Sequence, residues 1–208
     1  MKTFNKKLKA LMVAEIKNHQ KQDQIIQGTY GQENGIWKGC AVGCSIHSLN
    51  LKLDKDYSTS DHSAYEKELG IPRIIACLED RIFEGLSVEE SKKWPLQFMQ
   101  AVPVGVDLKL VWPEFAVWLL TDKKHGVIQY AKTGSQRSAI QKVADLYQRK
   151  VDSKPTTRAQ FKADAADAAY AAYAADAAAD AADAAADAKQ KHYSIMAKKL
   201  LQITKATK

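Results

Sequence analysis

Cysteine is scarce in this chain, with three among 208 residues, and that odd number argues against a disulfide framework. The opening MKTFNKKLKALMVAEIKNHQ carries lysines but neither a continuous apolar stretch nor a small-residue cleavage site, so no secretion signal is read there and a cytoplasmic location is expected. Cys40, Cys44 and Cys77 are therefore expected as reduced thiols or metal ligands. No run approaches the roughly 20 apolar residues that cross a bilayer, so a membrane is not expected as a partner. Alternating strand-like sequence is almost lacking too. HGVIQY, at 125–130, is the one such run, and a lone strand has nothing to pair with, so it is read as a loop. No arginine cluster or aromatic-basic motif supports nucleic acid as a partner.

What is present is helix. The chain is 46% apolar and 26% charged, ordinary for a globular protein able to bury a core. Phe4, Leu8, Leu11, Met12 and Ile16 follow 3–4 spacing, which predicts an amphipathic first helix ended by the glycines of QGTYGQENG. SDHSAYEKELGIP predicts a short helix capped by Asp61 or Ser63 and stopped by Gly70, and Pro72 then suits the first turn of a helix over 72–85. That helix is expected to bury Ile74, Ile75, Leu78, Ile82 and Leu86. Ser87 with Glu90 marks the next start, with Pro95 kinking or dividing the helix. Trp112, Phe115, Trp118 and Leu119 form an aromatic stripe, and Ile140, Val143, Ala144 and Tyr147 a further apolar face.

The net charge of +7 is unevenly spread. Residues 1–21 hold six lysines against Glu15, and 189–208 hold six lysines and no acid, whereas 162–187 hold Lys162 against six aspartates. That acidic segment belongs to 163–188, which contains eighteen alanines, six aspartates and two tyrosines. Alanine loses no side-chain entropy on entering a helix, so a long rod is predicted over about 159–191. Bare methyl groups bury little area, so the rod needs a partner along its length: the last helix, with Tyr193, Met196, Leu200 and Ile203, the body, or a second copy. The expected fold is all-α, a compact multi-helix body with a long alanine-rich C-terminal helix and a final short helix. Its expected parts are the body over 1–151, a linker over 152–158, and an alanine-rich hairpin over 159–208 through which the chain could form a homo-oligomer.

GCAVGCSIHS, at 39–48, raises the question of a site. In a regular helix Trp37, Cys40, Cys44 and His47 share a face. Cys40, Cys44, His47 and His62 could together ligate zinc, although one ion could reach all of them only if the helix bent at Gly43. Alternatively Cys40 could be a thiol nucleophile with His47 or His62 as its base, or both cysteines could be small core hydrophobes, which leaves no cofactor. In the helix over 72–85, Cys77, Asp80 and Glu84 fall together opposite the aliphatic face. Turned toward His47, His62 and Trp37, that face would complete a polar, aromatic-edged pocket.

QGTYGQENGIWKGCAVGCSIHS, followed by ELGIP, LEDRIFEGL, WPLQFMQAVPVGVDL and FAVWLL, resembles an uncharacterised family of bacteriophage and prophage proteins that also end in an alanine-rich repeat. The resemblance covers most of 24–121, though the tail here places aspartate and tyrosine between the alanines where the family often uses other residues. It implies a phage setting in the host cytoplasm and a motif-dense region around Cys40, Cys44, His47, His62, Glu68, Asp80 and Glu84, with Glu68, Asp80 and Glu84 as its acidic members. The expected function is that of a non-enzymatic accessory protein which binds or sequesters a small anionic or nucleotide-like ligand, plausibly to counter host immunity. In that reading Trp37, Tyr65 or Trp94 stack on the ligand, His47 and His62 hydrogen-bond to it, and Arg73 or Arg81 meets phosphate. The alternatives are a metal-dependent or thiol enzyme at the same residues and a module that captures a host protein through the alanine-rich helix.

Overall fold

The computed structural model describes residues 4–33, 35–157 and 186–208. The alanine-rich stretch over 158–185, and with it most of the rod expected over about 159–191 and its oligomerisation, lies outside the described residues. The described chain is all-α apart from a two-residue antiparallel pair, β1 (Gln32–Glu33) with β2 (Trp37–Lys38). It divides into two compact units, one formed by Met1–Lys109 with Ala197–Lys208 and the other by Leu110–Met196. The expected body over 1–151 is thus shared between both. No helix among the described residues is long and apolar enough to cross a membrane.

Four helices make the frame of the first unit: α1 (Lys6–Lys21), α2 (Ala41–Leu53), α3 (Arg73–Gly85) and α4 (Val88–Ala101). Asn5 caps α1 by accepting from the Leu8 N–H, and Met12 and Ile16 carry its buried face. α2 packs against each of the other three. Accordingly residues 41–46 are buried all round, as expected of a helix apolar on more than one face. Completely burying Ile46 and Leu49 contributes about 1.5–3 kcal/mol each. Between α2 and α3 a short π-helical turn (Tyr65–Leu69) closes at Gly70, which adopts φ +69°.

α3 begins directly after Pro72, and Ser87 caps α4 by accepting from the Glu90 N–H. Pro95 is accommodated inside α4 without ending it. The helix over 72–85 buries Ile75, Leu78 and Ile82 as its spacing predicts, but Ile74 is 45% exposed. The core stripe instead runs through Ile75, Glu79, Ile82 and Leu86, which places a carboxylate on the apolar face.

The second unit pairs α5 (Val111–Thr121) with α6 (Gly134–Val151). Pro113 sits in the first turn of α5, and Thr133 and Gln136 form a reciprocal capping box on α6. HGVIQY supplies a 3-10 turn, Val127–Tyr130, in place of a plain loop. Its Val127 and Ile128 pack with Leu120 on Ala131 and Ile140. The last helix, α7 (Ala186–Ala206), gives its turns from Ala197 onward to the first unit, where Leu200, Ile203 and Thr204 are buried.

Candidate functional site

Chemistry-bearing side chains of the first unit gather where the loop over 22–40 meets the start of α2 and one face of α3. The loop is fastened along its length. Ile25 bridges Gly39 in parallel, the Cys40 N–H donates to the Thr29 carbonyl at 2.7 Å, and the Gln27 amide donates to the Phe83, Glu84 and Leu86 carbonyls. Those carbonyls lie at the C-terminal end of α3, where the i to i+4 ladder runs out, which is why an amide side chain is placed there. Gly43 lets the loop approach, since a Cβ at that position would stand 1.9 Å from the Tyr30 carbonyl oxygen. Gly31 does the same for Trp37, whose ring would be 1.8 Å from a Cβ.

Asp80 is the centre of the arrangement. It is 7% exposed, and its Oδ2 accepts from the Tyr30 hydroxyl at 3.0 Å and from His62 Nε2 at 3.1 Å. Its Oδ1 is buried without a hydrogen-bond partner. The other ring nitrogen of His62 lies 3.0 Å from the Ser60 carbonyl, so both nitrogens face acceptors and the doubly protonated imidazolium satisfies both. The hydrogen bond to Asp80 accordingly raises the His62 pKa, against the opposing effects of burial and of Arg73. Burial, and then Asp80, push the Tyr30 hydroxyl up to about 12.

Cys40 caps α2, its sulfur accepting from the Gly43 N–H at 3.3 Å. Burial, then the charges of Asp80 and Glu84, push its thiol far above the ordinary value. Glu84, one turn after Asp80 on α3, accepts from the Gly28 N–H at 2.9 Å. One potential ligand atom from each of Cys40, Asp80 and Glu84 lies within 4.8 Å of the others, and among the described residues this is the group of three or more that converges in that way.

The expected metal set Cys40, Cys44, His47 and His62 is therefore not brought together. Cys44 points to the Gly39 carbonyl at 3.3 Å and toward that of Gln24, as a small core residue, with burial raising its thiol to about 12. His47 stacks face to face on Trp37, centroids 4.0 Å apart and planes 6° from parallel. His47 lies two turns along α2 from the Cys40 cap, and because α2 starts at Ala41 with Trp37 in β2, the continuous helical face from Trp37 to His47 that the sequence suggests does not exist. His62 is retained, but through Asp80.

The other expected contacts separate similarly. Trp94, 1% exposed, donates its indole N–H to the Glu79 carbonyl at 3.1 Å, and Tyr65 is fully buried, so neither can stack on a ligand entering from solvent. Their burial follows from α4 and the π-helical turn packing inward. Glu68 is engaged by the Tyr57 hydroxyl at 2.8 Å and by Lys55. Arg73 and Arg81 are both exposed on α3, and Arg73 lies close enough to His62 and Cys77 to shift their titration.

Two features escaped the sequence reading. Tyr30 sits in a glycine loop whose only visible signal is its turn residues. Glu79 is completely buried with both oxygens unpartnered, beside Tyr65 and Ser45, whose hydroxyls also lack hydrogen bonds of good geometry. Burial drives the Glu79 carboxyl well above its ordinary value, so it is held protonated. Its position four residues after Ile75 and three before Ile82 is the signal that could have found it.

No family model matches the chain, and no curated protein or solved structure matches it either.

Proposed function

We propose that this chain is a phage-type accessory protein that binds, rather than transforms, a small anionic or nucleotide-like ligand at the surface around Tyr30, His62 and Arg73. The observation that carries this reading is the exposed Arg73 guanidinium beside an aromatic edge, close enough to His62 to act on its charge, with His62 itself held by Ser60 and Asp80. The Tyr30 and His62 rings meet edge to face, with centroids 5.7 Å apart and planes at 85°. A guanidinium next to an aromatic rim suits a phosphate carried on a planar base. Capture of a small nucleotide signal, to the disadvantage of host immunity, is the biological role this suggests in view of the phage-like motifs.

Binding is preferred to thiol catalysis because Cys40 is held as the neutral thiol, and the thiolate is the nucleophile. A metal-dependent enzyme is the second reading, favoured by the convergence of Cys40, Asp80 and Glu84 with His62 hydrogen-bonded to Asp80. Host-protein capture through the alanine-rich helix would rest on residues outside the described ones.

Native mass spectrometry of the untagged protein purified from bacterial cells, followed by thermal-shift screening with mono-, di- and cyclic nucleotides, tests the reading. The expected result is an organic mass increment or a nucleotide-dependent stabilisation that is lost in Arg73→Ala and in His62→Gln. A bare protein without any nucleotide response, or a response indifferent to both substitutions, would overturn it.

A further inference from the structure

Beneath Tyr30 and His62 the charge has the wrong sign for an anion, because Asp80 and Glu84 are carboxylates one helical turn apart and repel one another. Glu84 makes no ion pair among the described residues, and the ion pair of Asp80 is with His62. We propose that Cys40, Asp80 and Glu84 bind one thiophilic divalent cation of the zinc class and leave one coordination position for an oxygen of the ligand. The open position rests on the anion-binding reading; the metal site itself does not.

Three independent features support it. The first is convergence: the three ligand atoms come from the cap of α2 and from one face of α3 and already lie within 4.8 Å of one another. Tetrahedral zinc with bonds of about 2.0–2.3 Å places its ligands roughly 3.5 Å apart, so the side chains need to close by about 1 Å. Glu84, the exposed member, can supply most of that movement by turning about its side-chain torsions. The second is the unpartnered Asp80 Oδ1. A buried carboxylate oxygen without a hydrogen bond is expensive, and here the opposite oxygen already takes two donors, so a cation is the partner that fits.

The third is the outer shell. Tyr30 and His62 hold Asp80 by Oδ2 and fix its orientation, as outer partners do for metal-ligating carboxylates. A thiolate in the set selects zinc-like ions over magnesium or calcium, which prefer all-oxygen sites. On binding, the Cys40 proton is released to solvent.

The test uses the full chain, reduced and stripped with a chelator, titrated with Zn²⁺ against a chromophoric competitor and separately with Co²⁺ by absorbance. The expected result is one equivalent bound, with a thiolate-to-cobalt charge-transfer band. Cys40→Ser should abolish that band and weaken Zn²⁺ by at least about tenfold, and Asp80→Asn should weaken it similarly. Serine is a good helix N-cap, so Cys40→Ser keeps α2 capped and its loss of metal is not loss of fold, which circular dichroism verifies. Cys44→Ser should leave affinity unchanged.

Folded wild-type protein that takes up neither ion, or binding that survives Cys40→Ser and Asp80→Asn, would overturn the metal site. Because the metal is titrated without organic ligand, a failed titration beside a nucleotide increment in native mass spectrometry would strike the metal alone. One bound ion beside a chain that ignores nucleotides would strike the anion reading alone.

Discussion

Replacing Gly43 with alanine sets two calculable effects against each other. Within an α-helix the change gains about 1 kcal/mol from propensity. Against this, the new Cβ would stand 1.9 Å from the Tyr30 carbonyl oxygen and 2.7 Å from its carbon. Ordinary contact begins near 3.4 Å, so the loop backbone must retreat by about 1.5 Å. Overpacking of this kind costs about 1–3 kcal/mol. The retreat also strains the 2.7 Å hydrogen bond from Cys40 to Thr29, worth about another 1 kcal/mol, and draws Tyr30 away from Asp80. The net expectation is a destabilisation of about 1–3 kcal/mol. Urea unfolding followed by circular dichroism would read it as a lower midpoint, and zinc affinity should fall alongside. A Gly43→Ala protein that is more stable than wild type and binds zinc unchanged would refute the claim that this glycine exists to admit the Tyr30 loop.

Two further predictions concern pH and carry opposite signs. The folded chain keeps the Glu79 proton, while the unfolded chain releases it above its ordinary pKa of about 4.5, so wild-type stability from this residue falls as pH rises. The slope is about 1.4 kcal/mol per pH unit for as long as the folded carboxyl stays protonated. Glu79→Gln, which cannot ionise, should remove it, so the stability gap between variant and wild type should widen from pH 5 to pH 7 in metal-free buffer; parallel profiles would show that Glu79 does not titrate this way. His19, buried between Gln24 at 2.6 Å and Ser48 at 2.8 Å, has its pKa lowered chiefly by desolvation. Its contribution is whole above the unfolded value near 6.5 and is lost on acidification, so His19→Gln should flatten the acid side of the profile, and the imidazole NMR titration of His19 should have a midpoint below that of free histidine.

Local signals in the sequence foretell the ends of the elements well. Ser87 capping α4, Gly70 closing the turn before α3, and Pro72 opening α3 each act through their own backbone and nearest neighbours, and no distant contact is required to read them. The shared face of Asp80 and Glu84 is likewise a property of helical spacing. Depth is different. Tyr65 and Trp94 carry the composition of a stacking surface, yet the packing of their elements withdraws them into the core. Ile74 is apolar and still exposed, because one position of rotation separates it from the stripe through Ile75. Cys44 turns to the Gly39 carbonyl and His47 to the Trp37 ring, partners that helical spacing does not display.

The sequence alone therefore determined that this chain is helical, where several helices begin and stop, and which residue types could do chemistry. Those are consequences of backbone propensity, capping and 3.6-residue periodicity, all of which act within a few residues. Which of those residues meet was decided by tertiary structure alone. Tyr30 lies 50 positions before Asp80 and His62 lies 18 before it, and their hydrogen bonds to Asp80 depend on a loop bridged to Gly39 and on the space left by a glycine in α2. Periodicity fixes which face of a helix a side chain occupies, but only packing fixes what that face confronts.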